Sequence, residues 1–327
     1  METMRAARFV ELGKMVFEKV PRPELQEGEL LVRTELASIC GSDLHIVYHG
    51  TIRTPFPQRP GYPGHEGVGE VIKSNHPDFQ PGEKVLCCPN AMISMTFAEY
   101  QAIHGKYCIK LPESDLPISH LLMAQQFGTT IFALRQRPAD VVGKTVMVMG
   151  QGSAGMFFAY LLKRAGAAKV ITSDLSEARL AMGRKLGADL ALQADRDDVK
   201  ETVLEQTDGL GVEYLVEAVG SNVSLLQAVD LVRPDANMLM FGLPDTEKPV
   251  QYNFNDFFRK RLTMHSTYGA QEEPGLASFR MALDLILKKQ IDVSPLVSHV
   301  FPIEKIQEAM ETAHHRSSNA LKVSVEF

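Results

Sequence analysis

The residues most able to do chemistry lie in two short stretches of the N-terminal third. The first, ICGSDLH (residues 39–45), places Cys40, Asp43 and His45 within six positions, and the second, GHEGVGEV, places His65 and Glu66 between glycines. Zn²⁺ accepts sulfur, nitrogen and oxygen ligands together, and catalytic zinc sites use three protein ligands with one open position. A thiol, an imidazole and a carboxylate make these stretches a candidate zinc site, although a free cysteine or a single histidine is more often a packed residue.

The second candidate site is the glycine-rich stretch GQGSAG. Gly150, Gly152 and Gly155 form G-x-G-x-x-G directly after an apolar run and directly before a helical pattern. In dinucleotide-binding folds the first glycine makes the tight turn, the second lets the backbone approach a pyrophosphate, and the third allows close packing of helix on strand. The phosphates would then meet the open N–H groups at the start of the helix, at Ser153 and Ala154. The alternative is a strand-to-helix turn without a ligand.

An acidic residue favours the dinucleotide over the ligand-free turn. Asp174 ends the next strand, nineteen positions after Gly155. A carboxylate there can accept hydrogen bonds from both ribose hydroxyls and repels a 2′-phosphate, so NAD is favoured over NADP. Arg179 lies nearby in the sequence and could weaken that preference.

The elements that must hold these residues change character along the chain. From Arg5 to about Cys108, short β-rich pieces are separated by Pro and Gly, which predicts an antiparallel, partly closed β domain. After about Leu121, helical patterns alternate with compact apolar strands, which predicts a doubly wound sheet of parallel strands with helices on both faces. The strands are predicted at residues 145–150, 169–174, 212–220, 237–242 and 262–267.

The C-terminal region follows a third pattern. Helices are predicted over residues 277–289 and 304–315, and the last stretch, ALKVSVEF, alternates in period two. We expect this last strand to return to the N-terminal domain. The fold class is therefore α/β, with two domains and a cleft between them, each domain being long enough to bury its own core.

The composition limits the partners and the compartment. The 327 residues are 45% hydrophobic and 23% charged, with a net charge of -6, which is typical of a globular protein. The sequence has no block of Lys and Arg that would bind a phosphate backbone or an anionic membrane, so neither nucleic acid nor a membrane is expected as a partner. The charged N-terminus lacks the apolar segment of a secretory signal, so a cytoplasmic protein with reduced thiols is expected.

The chain closely resembles the zinc-dependent medium-chain alcohol and polyol dehydrogenase family in its combination of three motifs, ICGSDLH, GHEGVGEV and GQGSAG. The resemblance covers nearly the whole chain, down to VSHVFPIEKIQEAMETA. It implies a catalytic, GroES-like domain with a partly closed β-barrel, made of residues 1–126 and 270–327. It also implies an NAD-binding Rossmann domain with a doubly wound parallel sheet, residues 127–269.

The resemblance also implies roles for single residues. Cys40 and His65 resemble zinc ligands, and Ser42 resembles the hydroxyl that touches the substrate oxygen. Asp43 resembles the acid that orients the ligand imidazole. His45 resembles the outer histidine of a proton relay, which runs from the hydroxyl through the nicotinamide ribose to solvent.

The sequence leaves the remaining zinc ligand open. The family places a Cys or Glu at the start of the helix that crosses into the nucleotide domain, where this chain has Gln125 or its neighbour Gln126. Glu66 ligates zinc in some relatives and not in others, so Cys40, His65, Glu66 and a water could complete the site, with Gln125 close by. A thiolate and a carboxylate cancel the two charges of Zn²⁺, whereas a thiolate with a neutral glutamine leaves one positive charge and a stronger Lewis acid.

A feature of many relatives is missing from this chain. Many zinc alcohol dehydrogenases carry a lobe with four closely spaced cysteines and a structural zinc, whereas here GEKVLCCPNAMISMTFAEY runs almost directly from one strand to the next. We therefore expect one catalytic zinc per chain and no structural zinc. The cysteines outside the candidate site are interpreted as packing residues: Cys87, Cys88 and Cys108.

The implied function is hydride transfer between NAD(H) and a secondary alcohol or polyol, or the matching ketone or aldehyde, in a homodimer or homotetramer. The polar side chains of Glu66 and Gln125 tilt the substrate slightly towards a polyhydroxy compound. Two alternatives remain open. A zinc-free reductase of conjugated double bonds is disfavoured by the joint presence of Cys40, His65 and Glu66, and a non-catalytic NAD-binding regulator is left open by Gln125.

Overall fold

The computed structural model describes residues 2–50, 55–90, 92–138, 140–244 and 249–327. The chain forms two compact units, Met1–Thr129 with Gly269–Phe327 and Thr130–Tyr268. Among the described residues, no helix is both long and apolar enough to cross a lipid bilayer.

The described elements alternate between strands and helices for most of the chain. The strands are β1 (Thr3–Glu11), β2 (Lys14–Pro21), β3 (Glu29–Ser38), β4 (Glu66–Ser74), β5 (Lys84–Cys87), β6 (Tyr100–His104), β7 (Cys108–Lys110), β8 (Thr145–Met149), β9 (Lys169–Asp174), β10 (Leu190–Gln193), β11 (Val212–Glu217), β12 (Val232–Met240), β13 (Thr263–Ser266), β14 (Val297–Pro302) and β15 (Lys322–Glu326). The α-helices are α1 (Gly41–Leu44), α2 (Ile118–Gln136), α3 (Ser153–Arg164), α4 (Glu177–Lys185), α5 (Val199–Glu205), α6 (Asn222–Leu231), α7 (Phe254–Arg259), α8 (Ala277–Leu287) and α9 (Ile306–His315). A π-helical turn covers His45–His49, and short 3-10 turns cover Gly105–Tyr107, Ala270–Glu272, Pro274–Leu276, Ser294–Leu296, Ile303–Lys305 and Ser317–Asn319.

The first unit is built on a seven-stranded sheet in the order β14-β15-β3-β4-β5-β7, with β6 also paired to β3. Neighbouring strands are antiparallel, except that β14 and β15 run parallel. A separate antiparallel hairpin joins β1 and β2. The predicted antiparallel, β-rich texture is confirmed, and so is the return of the last strand, because β15 pairs with β3.

The register of the three adjacent strands β15, β3 and β4 sets the position of the candidate site. Ser38, the last residue of β3, faces Glu66, the first residue of β4, and on its other side it faces Ser324 of β15. Cys40 follows Ser38 by two positions, and His65 directly precedes Glu66. The two stretches that could do chemistry therefore meet at the same end of the sheet.

The cysteines outside the site lie in the core of the first unit. Cys87 on β5 faces Cys108 on β7 in the strand register. These two residues and Cys88 are buried and carry free thiols. Burial raises the pKa of Cys88 and of Cys108, so both thiols stay protonated. Their interpretation as packing residues is confirmed.

The second unit contains a six-stranded sheet in the order β10-β9-β8-β11-β12-β13, and every pair in it is parallel. The central strands β8 and β11 are apolar and almost wholly buried. Each buried aliphatic side chain in them contributes about 1.5–3 kcal/mol to the free energy of folding. The predicted doubly wound parallel sheet is confirmed.

The strand order reverses next to β8, because β9 lies on one side of it and β11 on the other. In open α/β sheets ligands bind at the carboxyl ends of the strands at such a switch point. Gly150 directly follows β8, so the glycine-rich stretch occupies this position.

The largest differences between the predicted and the observed elements of the second unit concern two strands. β10 was not predicted, because LALQ is four residues long and too short to stand out by periodicity. β12 begins at Val232 and not at residue 237, because Arg233, Pro234 and Asp235 are polar or lack an N–H and so hide the start of the strand.

Candidate metal centre and nucleotide-binding loop

Cys40 is held by the short helix that follows β3. It is the N-cap residue of α1, and its backbone N–H donates to the Asp43 carboxylate with 2.9 Å between Cys40 N and Asp43 Oδ2. An acidic residue at the third helical position that reaches back to the N-cap is a capping arrangement, which fixes the direction in which the chain enters the helix. The Cys40 thiol is therefore placed by a rigid turn. Its side chain is partly exposed.

His65 lies on a tight glycine-flanked loop before β4. A Cβ on Gly64 would lie 2.6 Å from atoms of both Phe97 and Thr96, so only glycine allows the loop to press against these side chains. The buried imidazole of His65 has its Nδ1 2.9 Å from Asp43 Oδ1 and its Nε2 3.2 Å from Ser42 Oγ. Asp43 therefore lies behind the ring, and Nε2 is the nitrogen that faces Ser42.

Glu66 is 1% exposed, and its two carboxylate oxygens have different surroundings. Oε2 accepts a hydrogen bond from Ser38 Oγ and lies 2.5 Å from the ammonium nitrogen of Lys322. Oε1 is buried and has no hydrogen-bond partner among the described residues. A buried acceptor without a partner costs about 1–3 kcal/mol, so this oxygen needs a ligand.

The side chains of Cys40, His65 and Glu66 converge on one point. One ligand atom from each lies within 4.8 Å of the other two, and among the described residues no other group of three or more His, Cys, Asp or Glu side chains does this. Sulfur, imidazole nitrogen and carboxylate oxygen are the donors that Zn²⁺ accepts together. The unpartnered Oε1 and this donor set fit a zinc ion.

The charges around the cluster favour the metal-binding form of Glu66 and, without a metal, the protonated form of His65. Burial alone raises the pKa of the Glu66 carboxyl, but the ammonium of Lys322 and the charge at His65 outweigh it, and the pKa lies below its ordinary value. Burial lowers the pKa of His65, whereas the charge of Asp43 and hydrogen bonds to Asp43 and Cys40 raise it well above its ordinary value. Glu66 is therefore ionised, and a divalent cation would compete with a proton for His65.

The glutamine that stands where the family has a Cys or Glu reaches the same loop. Gln125 on α2 is buried, and its Nε2 lies 3.4 Å from the backbone oxygen of His65. Gln126 is less buried, and its Oε1 has no hydrogen-bond partner among the described residues. Of the two candidates, Gln125 is the one that contacts the histidine loop.

His45 begins the π-helical turn and is partly buried. The centre of its ring lies 5.1 Å from the ring centre of His49, and the neighbouring Tyr48 stacks on His314 at 3.9 Å. His45 therefore lies beside His49, in a turn whose Tyr48 also contacts an aromatic ring.

The glycine-rich stretch adopts a tight turn between β8 and α3. Gly150 has a φ of 88°, in the left-handed region that favours glycine, and a Cβ on Gly155 would lie 1.9 Å from the Gly150 carbonyl oxygen. Gly152 is the N-cap of α3, so Ser153 and Ala154 begin the helix, and a Cβ on Gly152 would meet no atom within 4 Å. The helix start therefore presents its N–H groups beside open space, which suits an anionic phosphate.

The acid at the end of β9 is fixed by backbone hydrogen bonds. Asp174 Oδ2 accepts from the backbone N–H of Gln151 at 2.7 Å, and Oδ1 accepts from that of Ser176 at 2.9 Å. These bonds tie the carboxylate to the glycine loop. Arg179 lies on α4 and is buried.

Three buried residues of these sites were not found from the sequence. Ser38 and Lys322 contact Glu66, and Glu217 at the end of β11 accepts hydrogen bonds from the backbone of Val219 and Gly220. The lysine in the last strand, ALKVSVEF, was the available signal for Lys322. The period-two pattern hid it, because that pattern predicts an exposed side chain at this position.

The chain is similar to known proteins over most of its length. Residues 26–113 match the alcohol dehydrogenase GroES-like domain, and residues 154–288 match the zinc-binding dehydrogenase family. L-threonine 3-dehydrogenase of Caldanaerobacter subterraneus is 28% identical, in a match that covers 88% of this chain and 89% of that protein. Sorbitol dehydrogenase of Homo sapiens is 27% identical, over 92% of this chain and 90% of that protein. The structure of an alcohol dehydrogenase from Thermus sp. ATN1 matches with a TM-score of 0.84 and 26% identity, over 99% of this chain and 100% of that one.

Proposed function

Because this chain belongs to the zinc-dependent medium-chain alcohol and polyol dehydrogenase family, we propose that it is an NAD-dependent dehydrogenase of a secondary alcohol or polyol. In the reverse direction it reduces the matching ketone or aldehyde. The observation that carries the proposal is the cluster of Cys40, His65 and Glu66, in which a buried carboxylate oxygen has no partner among the described residues. The first unit is then the catalytic domain, and the second unit is the NAD-binding domain.

We propose that one zinc ion per chain is held by Cys40, His65 and Glu66. Gln125 lies close to the site through its contact with the backbone of His65. When bound, zinc supplies a Lewis acid that lowers the pKa of the substrate hydroxyl. Asp43 keeps the imidazole of His65 oriented with Nε2 towards the site.

The proton chemistry falls to Ser42 and His45. The Ser42 hydroxyl lies 3.2 Å from His65 Nε2, and it takes the proton that the substrate hydroxyl releases. His45, five positions after Cys40 and partly buried, is the next group that can pass the proton towards solvent.

The glycine loop of the second unit binds the dinucleotide. The backbone N–H groups of Ser153 and Ala154 receive the pyrophosphate beside the open space at Gly152. Asp174 accepts hydrogen bonds from the adenine-side ribose and disfavours a 2′-phosphate. Arg179, which is buried on α4, weakens the discrimination against the 2′-phosphate. NAD supplies the acceptor for the hydride from the carbinol carbon.

The ligand set can be tested by two single substitutions. Glu66→Gln and Gln125→Ala are compared with the wild-type protein in zinc content and in the pH dependence of kcat/KM. Glu66→Gln should lose zinc or shift the pH profile, because it removes one negative charge from the ligand set. If neither substitution changes either measurement, both residues are wrongly placed in the site.

The catalytic function can be tested by a turnover screen. Secondary alcohols and polyols are offered with NAD, with and without a chelator, and absorbance at 340 nm is followed. Turnover that the chelator abolishes supports the proposal, and a polyhydroxy compound should be preferred because Glu66 and Gln125 are polar. Zinc-independent reduction of conjugated double bonds would instead support the first alternative, and NAD binding without turnover would support a regulator.

We also propose that the protein acts in the cytoplasm on a small molecule, as a homodimer or homotetramer. β13 is the last strand of its sheet, and its outer edge has no strand partner among the described residues. An unpaired edge strand offers backbone groups to a second copy. Light scattering of the purified protein should give the mass of two or four chains.

A further inference from the structure

Lys322 is 2% exposed, and it lies against the candidate metal centre. It is the first residue of β15, close to the C-terminus, and its ammonium group lies 2.5 Å from Glu66 Oε2. Removing an ammonium from water costs several kcal/mol even in a relaxed protein, so a buried lysine must be held by a partner. Glu66 is the partner that the structure gives it.

Ser38 holds the same oxygen from a second direction. It faces Glu66 in the register of β3 and β4, and its hydroxyl donates to Oε2. The strands that carry Lys322, Ser38 and Glu66 are adjacent in the sheet, in the order β15-β3-β4. Their backbone ladders therefore fix the distances between the three side chains.

This arrangement gives the two oxygens of Glu66 different numbers of partners. Oε2 has both a cation and a hydroxyl donor, whereas the equally buried Oε1 has no hydrogen-bond partner among the described residues. An ion pair that served stability alone would gain by satisfying both oxygens, since each unsatisfied buried acceptor costs about 1–3 kcal/mol. The arrangement instead leaves Oε1 available, in a carboxylate of which one oxygen lies within 4.8 Å of the ligand atoms of Cys40 and His65.

We propose that Lys322, assisted by Ser38, is a positioning residue that occupies one oxygen of Glu66 and thereby offers the single oxygen Oε1 to the metal. This inference rests on the zinc site of the proposed function. By holding Oε2, Lys322 prevents the carboxylate from turning both oxygens towards the site. The position that the substrate oxygen needs therefore stays open.

Removing Lys322 should change the metal centre itself. In Lys322→Met the side chain keeps its length and loses its charge, so Glu66 is free to rotate and to present either oxygen or both. Groups that orient a metal ligand contribute about 10- to 100-fold to metal affinity. We expect a loss of that size in zinc affinity, and a changed visible spectrum of the cobalt-substituted protein, because that spectrum depends on the number and geometry of the ligands.

The experiment compares four proteins by chelator competition for zinc and by the visible spectrum after cobalt substitution. Lys322→Arg keeps a cation and its donors and should resemble the wild type. Lys84→Met is the matched control, because Lys84 also lies on a strand of this sheet and pairs with glutamates, Glu35 and Glu70, away from the site. It should leave both measurements unchanged.

The outcomes separate the inference from the function on which it rests. A wild-type protein that binds neither zinc nor cobalt refutes the metal site and with it this inference. A wild-type protein that binds both, with Lys322→Met equal to it in affinity and spectrum, overturns the inference alone. If Lys322→Met does not fold, Ser38→Ala decides, since it removes only the hydroxyl: a cobalt spectrum shifted from that of the wild type supports the inference, and an unchanged spectrum overturns it.

Discussion

Replacing Asp43 with asparagine tests how the site orients its histidine. Both oxygens of this fully buried carboxylate are in use, one 2.9 Å from the backbone nitrogen of Cys40 and the other 2.9 Å from His65 Nδ1. Asparagine can satisfy only one of them. If its oxygen keeps the Cys40 N–H, its amide donates to Nδ1, so the imidazole proton moves to Nε2, the nitrogen that the metal needs. If the side-chain amide is flipped, its NH2 group faces the backbone N–H of Cys40, and two donors oppose each other.

Either arrangement should weaken zinc binding without unfolding the protein. Loss of the group that orients a ligand histidine costs about 10- to 100-fold in metal affinity, which equals about 1.4–2.7 kcal/mol. Competition with a chromophoric chelator at neutral pH measures the affinity, and circular dichroism checks the fold. Asp189→Asn is the matched control, because Asp189 also accepts a backbone N–H and pairs with a lysine, but in the second unit. A folded Asp43→Asn protein that binds zinc as tightly as the wild type would show that Asp43 does not orient His65 for the metal.

Three further predictions concern the proton, the cofactor and acid stability. Ser42→Ala should lower kcat by about 10²- to 10⁴-fold at unchanged zinc content, as expected for a group that transfers a proton; an unchanged kcat would remove Ser42 from the mechanism. Asp174→Ser should raise kcat/KM for NADP relative to NAD, because the charge that repels a 2′-phosphate is lost; an unchanged ratio in steady-state kinetics would contradict the assignment. Burial raises the pKa of Asp189, but Lys163 and a backbone N–H lower it by more, so the pKa lies below its ordinary value of 3.8. A lowered pKa stabilises the folded state at pH values above the ordinary pKa, and this contribution is lost as the pH falls through the lowered pKa. The difference in unfolding free energy between wild type and Asp189→Asn, measured in urea, should therefore be present at pH 7 and shrink in acid. A difference independent of pH would argue against the ion pair of Asp189 and Lys163.

The parts of the site that could be predicted from the sequence are those with fixed local spacing. The turn from β8 into α3 needs glycine at Gly150 and Gly155 for steric reasons that act within six residues, so the motif and its position were readable. Cys40 with Asp43 is also a local arrangement, a capped turn. The strands of the second unit were readable because they are apolar and bounded by turns.

The parts that could not be predicted depend on strand register across the whole chain. Lys322 reaches Glu66 only because β15 pairs with β3, whereas alternation in a strand is typical of polar side chains that face solvent. The choice between Glu66 and Gln125 was open for the same reason, since no local pattern reveals which carboxylate oxygen lacks a partner. Burial on both faces of the sheet is a tertiary property that a period of two does not report.

A zinc-edge X-ray absorption spectrum of the zinc-loaded protein, with the metal content measured on the same sample, tests the central claim most directly. We expect one zinc per chain with a single sulfur neighbour, Cys40, at about 2.3 Å and otherwise nitrogen and oxygen neighbours. The sulfur should disappear from the spectrum of Cys40→Ser. A wild-type spectrum with no sulfur, or with two or more sulfurs per zinc, would contradict the ligand set of Cys40, His65 and Glu66.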